Sequence, residues 1–303
     1  MTDADTPPDL PELLEYRGEF GAELVLFLPF VTWLSERGLL RDRRIATYRG
    51  MNCYYDDLDC KKVIYRDKGR RVIAPVRREF WMPWLPVIRE HRYEGPLPHP
   101  WHRYPDLRRK FAARPLSDTL GLEGKPLLIL HNKYNVEWDR WPMNFLTVEQ
   151  LRMIFDTLGP LYRIVYVRHG MSPLPEGFSR DAIAIQPLED RALLERYPEV
   201  LEFDALFEKN RSATGLDDMN DFKNRLYARS WNFISVQGGG AHHCAMFSGS
   251  RLTVLHMRGS ETQMAYSRGY YRFMADPAPR LTVCQTPEAF AARIAAMAGE
   301  PPG

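Results

Sequence analysis

Short apolar runs recur through the second half of the chain, and the segments between them have helical periodicity. Thr147 suits the N-cap of a helix through Leu158. Asp217–Ser230 places its apolar residues on one face, and Pro287–Met297 is amphipathic. Alternating strands and helices predict an α/β fold with mostly parallel sheets, which binds ligands at the carboxyl ends of its strands. The runs that suit buried strands are Pro126–Leu130, Arg163–Val167, Ala182–Ile185, Phe233–Val236, Leu252–Leu255 and Leu281–Val283.

The first half has a less regular pattern. Its predicted strands are Leu13–Tyr16, Arg44–Tyr48 and Lys62–Tyr65, with a glycine turn at Gly18–Gly21. Leu24–Leu34 is strongly apolar but contains Pro29 and falls short of the ~20 residues that a spanning helix needs. It predicts a buried helix, with peripheral membrane contact left as an open alternative.

These patterns predict two domains behind a short tail. Residues 1–10 are acidic and rich in proline, which predicts a disordered tail and is atypical of a signal peptide. Residues 11–118 form an N-terminal α/β domain, and residues 119–303 form a C-terminal one. The boundary is expected near Ser117–Gly124.

Composition narrows the functional class. The 303 residues are 45% hydrophobic, which supports a substantial core, and the net charge of +2 argues against a dedicated nucleic-acid binder. The four cysteines have neither metal-ligand nor redox spacing, which is typical of free thiols in a reducing cytoplasm. We therefore expect a cytoplasmic protein, with the inner face of a membrane as an alternative location.

Trp231–Gly249 contains the most informative motif, a strand followed by Gly238, Gly239 and Gly240 and then a short helix beginning near Ala241. Glycine lets the backbone approach a ligand closely, and the N–H groups at a helix start attract anions. A glycine run is also often only a tight turn. Neither the dinucleotide fingerprint nor the P-loop pattern occurs, so both of those enzyme classes have little support.

Polar and basic residues follow several of the predicted strands, and these ends should meet at one edge of a parallel sheet. Singly, each cation is more often solvated than bound to a ligand, but their shared position predicts a site for a diphosphate. Glu261 can accept hydrogen bonds from ribose hydroxyls. The predicted ligand-binding residues after the strands are Asn132, Lys133, Arg168, Gln237, Arg258 and Glu261.

His242-His243-Cys244 raises the question of a metal site. Adjacent helical residues point about 100° apart, and no second ligand cluster has suitable spacing, so we predict no metal. One of the two histidines can instead face a phosphate, and we assign that role to His242.

Two acids near the N-terminus are candidate general bases. Glu19 lies in the glycine turn and Glu23 one helical turn later. The structural alternative is that either acid only favours the start of the helix electrostatically.

Arg77–Pro105 interleaves arginine, tryptophan and proline. Such segments can stack on single-stranded nucleic acid, and aromatic residues also line sugar-binding grooves. Packing of the aromatic residues against their own domain is the simpler interpretation.

Three stretches carry a resemblance to a known family: HNKYNVEWDRWPMNFLTVEQL, YRIVYVRHG and FISVQGGGAHHCAMFSG. The chain resembles GT-B glycosyltransferases, in particular bacterial heptosyltransferase-like and fucosyltransferase-like enzymes of surface-polysaccharide assembly. The resemblance covers roughly Pro126–Gly249 and extends only loosely to the N-terminal half.

The resemblance implies two Rossmann-like domains facing across a cleft. The C-terminal domain would bind a nucleotide-sugar donor and the N-terminal domain a glycan or lipid-linked acceptor. Transfer would be inverting and independent of metal or other cofactor, with Gly238–Gly240 at the diphosphate, Lys133 or Arg168 assisting, and Glu19 as base. This chain spaces its acids differently from the heptosyltransferase glycine-aspartate turn.

Three other functions stay open at this point. A nucleotide-sugar epimerase or hydrolase would use the same fold and consume donor without acceptor. A nucleotide-sugar- or glycan-binding protein would bind without turnover. An RNA-binding protein would show steep salt dependence, and the near-neutral charge makes it the weakest alternative.

Overall fold

A computed structural model describes residues 10–67, 101–134, 142–168, 188–259 and 269–301, together with Tyr266 and the backbone of 88–89 and 92–93. Several predictions lie outside these residues: the tail up to residue 9, the strand Ala182–Ile185, Glu261 and most of Arg77–Pro105.

The chain divides into two compact units. The first contains Met1–Pro105, Pro175–Ala182 and Ser260–Asp276. The second contains Asp106–Leu174, Ile183–Gly259 and Pro277–Gly303. The boundary expected between residues 118 and 119 stays a prediction.

The first unit is built on a three-stranded parallel sheet in the order β1-β2-β3. The predicted strands are confirmed to within a residue at each end. Its helices are short apart from α2, and a two-stranded antiparallel pair follows. The elements are β1 (Leu13–Glu15), α1 (Phe20–Ala22), a π-helix (Glu23–Phe27), α2 (Leu28–Glu36), β2 (Arg44–Tyr48), α3 (Asn52–Tyr55), β3 (Lys62–Arg66), β4 (Ile88–Arg89), β5 (Arg92–Tyr93) and a 3₁₀ turn (Tyr270–Phe273).

The apolar run at Leu24–Leu34 forms a buried helix that begins as a π-turn. Pro29 has no N–H, so it cannot donate to the Val25 carbonyl one turn earlier. The hydroxyl of Tyr104 donates to that carbonyl instead, at 2.9 Å. Trp101 packs near Trp33, with ring centroids 6.4 Å apart. The described end of the aromatic segment therefore packs against its own unit.

No helix in the described part of the chain is both long and apolar enough to cross a membrane.

The second unit alternates strands and helices as predicted. Its strands begin or end within two residues of the predicted bounds. The helices Leu107–Phe111, Arg191–Leu194 and Phe203–Thr214 and the strand Leu201–Glu202 were not predicted. The elements are α4 (Leu107–Phe111), a 3₁₀ turn (Asp118–Leu120), β6 (Leu127–Asn132), α5 (Val148–Leu158), β7 (Arg163–Arg168), α6 (Arg191–Leu194), β8 (Leu201–Glu202), α7 (Phe203–Thr214), α8 (Met219–Ala228), β9 (Asn232–Val236), α9 (Gly239–Ala245), β10 (Arg251–Leu255), β11 (Arg280–Cys284) and α10 (Pro287–Gly299).

The six strands of this unit form a parallel sheet in the order β11-β10-β9-β6-β7-β8. If β6 is numbered as strand 1 of the unit and β11 as strand 6, the order from β8 to β11 is 3-2-1-4-5-6, which is the doubly wound order. The chain starts in the middle at β6, builds outward to β8, and returns to β9 on the other side. The switch point lies between β6 and β9, where such sheets bind ligands outside the carboxyl ends of the strands. The predicted α/β class with mostly parallel sheets is confirmed.

Side chains of β6 alternate between the two faces of the sheet. Leu128 and Leu130 enter a core with α5 and α10, which includes Phe155 and Phe290. His131 points to the other face, where its ring lies 5.9 Å from that of Tyr227 on α8. In the described part of this unit, helices therefore pack on both faces of the sheet.

The described start of the second unit is fixed by Arg108 on α4. Its guanidinium donates to the carbonyls of Ser248, Ala228 and Ser230 at 2.8, 2.7 and 2.9 Å, and stacks over Trp231 at 3.8 Å. Burial lowers the pKa of Arg108 to about 10, which leaves it charged at neutral pH. Three backbone carbonyls thus replace the water that burial removes.

Candidate functional site

The switch point brings together residues from the ends of β6 and β9. Lys133 follows β6 directly, and Gln237 and Gly238 follow β9. The Lys133 Nζ donates to the Gln237 Oε1 at 3.1 Å. These residues are 104 positions apart in sequence, and the strand order alone makes them neighbours.

The first predicted strand of this unit, Pro126–Leu130, ends two residues too early. β6 continues through Asn132, because His131 pairs with Val167 and Asn132 with Arg168 in the parallel ladder with β7. Asn132 is buried, and its Oδ1 accepts from the N–H groups of Lys133 and Leu146 at 2.9 and 2.8 Å. It thus anchors the returning chain beside the site.

The predicted three-glycine loop is shorter than expected. Gly239 and Gly240 are the first residues of α9, and only Gly238 has a non-helical backbone, with φ of +126°. A Cβ on Gly238 would lie 3.2 Å from the Lys133 Nζ, and one on Gly240 would lie 2.8 Å from the His131 Nδ1. Glycine is therefore required for backbone conformation at 238 and for close packing at 240.

Asn144 ties three chain segments together at this edge of the sheet. Its Nδ2 donates to the Gln237 Oε1 at 3.2 Å and to the Arg258 carbonyl at 2.8 Å. Its Oδ1 accepts from the N–H groups of Met257 and Arg258 at 2.7 and 3.0 Å. The Gln237 oxygen thus receives one bond from Lys133 and another from Asn144.

The chain after β10 contributes a neutral histidine and an exposed cation. His256 is buried, and its backbone N–H donates to the Cys284 carbonyl at 2.9 Å. Burial lowers the pKa of His256, and the charge of Lys133 lowers it further, which favours the neutral ring at neutral pH. Met257 and Arg258 are exposed at the surface.

Helix α9 turns its second histidine inward. The His243 Nε2 lies 2.7 Å from the Asn224 Oδ1, and its ring packs on Tyr227 with centroids 5.1 Å apart. Burial drives the pKa of His243 well below its ordinary value, so this histidine is a neutral packing residue. Ala241 is fully buried, and His242 is largely buried.

Arg168, the last residue of β7, is buried in an ion pair with Asp190. Tyr166 donates to the same carboxylate at 2.7 Å, and the Asn132 Nδ2 lies 3.2 Å from the Tyr166 hydroxyl. Burial and the charge of Asp190 raise the pKa of Tyr166 well above its ordinary value, so this hydroxyl stays a donor. The charge of Arg168 is already matched within the protein. Whether it assists a ligand stays a prediction.

The two candidate bases in the first unit differ in their surroundings. Glu23 is 0% exposed, and its Oε1 accepts from the Tyr55 hydroxyl at 2.6 Å and from the Thr47 hydroxyl. Glu19 is partly exposed and has an extended backbone just before α1, and its side chain does not cap that helix. Of the two, Glu19 is the acid that solvent reaches.

Among the described residues, no group of three or more histidine, cysteine or acidic side chains is arranged to hold a metal ion.

Two solved structures are similar to this chain. One is the glycosyl transferase family 9 protein from Veillonella parvula DSM 2008, with 12% identity and a TM-score of 0.46 over 94% of this chain and 88% of that one. The other is ADP-heptose lps heptosyltransferase II from E. coli, with 9% identity and a TM-score of 0.48 over 94% of this chain and 98% of that one. No protein-family model and no curated protein matches the sequence.

Sequence reasoning did not find Asn144 or Asp190. Asn144 lies in an irregular stretch between β6 and α5, and its one local signal is that asparagine tolerates a positive φ, here 49°. Asp190 precedes the unpredicted helix α6, and nothing in the sequence pairs it with Arg168.

Proposed function

We propose that this protein is a glycosyltransferase that binds the diphosphate of a nucleotide-sugar donor at the switch point of its second unit. The sugar would pass to a glycan or lipid-linked acceptor. The observation that carries the proposal is the position of Lys133 between the ends of β6 and β9. Its Nζ donates to the neutral Gln237 Oε1 at 3.1 Å. A Cβ on residue 238 would lie 3.2 Å from that Nζ, and a glycine there leaves the space open.

The charges of the described residues favour an anion here. Lys133 and the exposed Arg258 are cations, and the buried acid Asp190 is paired with Arg168. The backbone N–H groups of Gly239 and Gly240 open α9, where intrahelical acceptors are missing. An ammonium group, a guanidinium and backbone donors together suit the negative charge that a leaving diphosphate develops.

We assign the general base to Glu19. In the proposed step its carboxylate takes the proton of an acceptor hydroxyl as that oxygen bonds to the anomeric carbon. The bond from the anomeric carbon to the phosphate oxygen breaks at the same time, and the nucleoside diphosphate leaves with the electron pair. This displacement inverts the anomeric centre. Glu23 fits the role less well, because its carboxylate is buried and already bonded to Tyr55 and Thr47.

The first test is a thermal-shift screen of the full chain against nucleoside diphosphates and nucleotide sugars. Ligands that bind only the folded state raise the unfolding temperature. We expect one nucleoside diphosphate and its sugar conjugates to raise it by a few degrees. Glu19→Gln should keep that shift and lose about 10²-fold or more in transfer rate. The exposed acid Glu36 in the same unit gives a matched control, and Glu36→Gln should keep full transfer.

Each alternative has a distinct result. If neither nucleoside diphosphates nor nucleotide sugars shift the unfolding temperature, the proposed site is wrong. Donor consumption without acceptor would identify a hydrolase or epimerase, and binding without turnover a sugar-nucleotide-binding protein. Unchanged transfer by Glu19→Gln would exclude Glu19 as the base and leave the donor site standing.

A further inference from the structure

We propose that Asn144 is the positioning residue of the phosphate site, acting through Gln237 on Lys133 and directly on the chain at Arg258. The inference rests on the proposed function and names the residue that sets its geometry. Asn144 follows no predicted strand and carries no charge. Its side chain bonds both to Gln237, which orients Lys133, and to the backbone of Arg258.

The carboxamide of Asn144 uses its full hydrogen-bonding capacity. An asparagine offers two N–H donors and an oxygen with two lone pairs. Here the donors go to the Gln237 Oε1 and the Arg258 carbonyl, and the oxygen accepts from the N–H groups of Met257 and Arg258. Two of the partners are backbone donors and one is a backbone acceptor, so only one orientation of the amide fits.

The backbone of Asn144 is held in an uncommon conformation. Its φ is +49°, a region that non-glycine residues rarely occupy, and the residue is 1% exposed. Such conformations persist where surrounding contacts determine them, and they concentrate at functional sites. Four side-chain bonds to two other segments are contacts of that kind.

The contact that orients Lys133 is made by neutral amides. The Gln237 oxygen accepts from the Lys133 Nζ at 3.1 Å and from the Asn144 Nδ2 at 3.2 Å. A carboxylate at either amide position would bring a formal negative charge close to the ammonium group and compete with a phosphate for it. Asn144 therefore fixes the direction of the Gln237 oxygen, which in turn orients the ammonium group through a neutral contact.

Asn144→Asp tests this role with almost no change in shape. The carboxylate keeps an acceptor for Met257 and Arg258, loses both donated bonds, and adds a negative charge. We expect the variant to bind the nucleoside diphosphate found by the thermal-shift screen at least ~10-fold more weakly by calorimetry. Inorganic pyrophosphate, which lacks the nucleoside, should lose affinity by a similar factor. In turnover, the donor KM should rise more than kcat falls.

Asn210→Asp is the matched control. Asn210 is equally buried in the same unit, on α7, where its Oδ1 accepts from the Ser117 N–H at 3.0 Å. This substitution places the same charge change away from the switch point. It should lower the unfolding temperature while ligand affinity stays within about twofold of wild type. Asn144→Gly, which suits a positive φ, replaces Asn144→Asp if that variant does not fold.

A double-mutant cycle separates positioning from a general structural role. If Asn144 acts through Gln237, Asn144→Gly and Gln237→Ala should together weaken binding by less than the product of their separate effects. If the loss of affinity in the double variant equals the product of the two single losses, Asn144 does not act through Gln237. That result, or unchanged affinity in Asn144→Asp, would overturn the role of Asn144 while leaving the donor site intact. Absence of nucleoside diphosphate and pyrophosphate binding by the wild type would overturn both proposals.

Discussion

The proposed anion site at this edge of the sheet depends on single side chains at the switch point. Lys133 is oriented by an amide oxygen rather than by a carboxylate, so its positive charge is held in place without a counter-ion at that contact. Arg168, which is buried at the same edge, has its counter-ion in Asp190. Two basic residues that look alike in sequence therefore have different electrostatic surroundings, and sequence alone could not separate them.

Gly240 gives a test of packing at a single residue. A Cβ there would lie 2.8 Å from the His131 Nδ1, and the His131 ring is itself packed against Tyr227. Gly240→Ala should therefore lower the free energy of unfolding by about 1–3 kcal/mol, measured by urea denaturation, although alanine is the better helix former.

Gly299 is the matched control for this substitution. It also lies in a helix, α10, and a Cβ there would have no atom within 4 Å. Gly299→Ala should leave stability unchanged or raise it by up to about 1 kcal/mol. Equal effects at the two glycines would contradict the contact between Gly240 and His131.

The helices of the second unit are mostly set by local signals. Thr147 and Gln150 form a capping box at the start of α5, and Thr286 caps α10 with Pro287 in the first turn. These signals act over three or four residues, so they can be read from sequence. The start of α8 is different, because its N-cap, Asp218, is partly buried.

Asp218 makes the stability of α8 depend on pH. It accepts from the N–H groups of Asn220 and Asp221 at 2.9 and 3.0 Å, yet burial raises its pKa from 3.8 to about 6. Because folding raises this pKa, the protonated form is favoured in the folded state. The stability that protonated Asp218 contributes is fully present below about pH 4, and it is lost as pH rises through about 6.

Asp218→Asn tests this effect, because asparagine is an equally good N-cap and does not ionise. Above about pH 7, the free energy of unfolding of the variant should exceed that of wild type by about 1 kcal/mol. This difference should vanish near pH 4. Denaturation curves over that pH range measure it. A gain that does not depend on pH, or a loss above pH 7, would show that the two N–H bonds outweigh burial.

The fold class was predictable from sequence, while the arrangement of the site was not. Apolar runs such as Arg163–Val167 identify strands because buried parallel strands are apolar on both faces. Strand order depends on contacts between distant segments, so periodicity could not place β6 beside β9.

The same limit explains the residues that were missed. Lys133 and Gln237 were predicted because both follow strands, but their contact spans 104 positions. Asn144 bonds to Arg258 across 114 positions, from a stretch with neither strand nor helix pattern. Local propensity carries no information about such contacts, which only the folded topology creates.

The most direct test of the proposed donor site is the affinity of the second unit's switch point for a nucleoside diphosphate, measured by calorimetry on two lysine variants. Lys133 lies at the carboxyl end of β6. Lys125 lies just before the amino end of the same strand, where its Nζ donates to the Gly159 carbonyl at 2.8 Å.

Lys133→Met should weaken binding of the best nucleoside diphosphate by about 10-fold or more, because it removes a charge-assisted bond to phosphate. Lys125→Met removes an equal charge at the amino end of the same strand, so this variant should bind the ligand as wild type does. Equal affinities for the two variants, whether both unchanged or both reduced, would contradict a diphosphate site at the switch point.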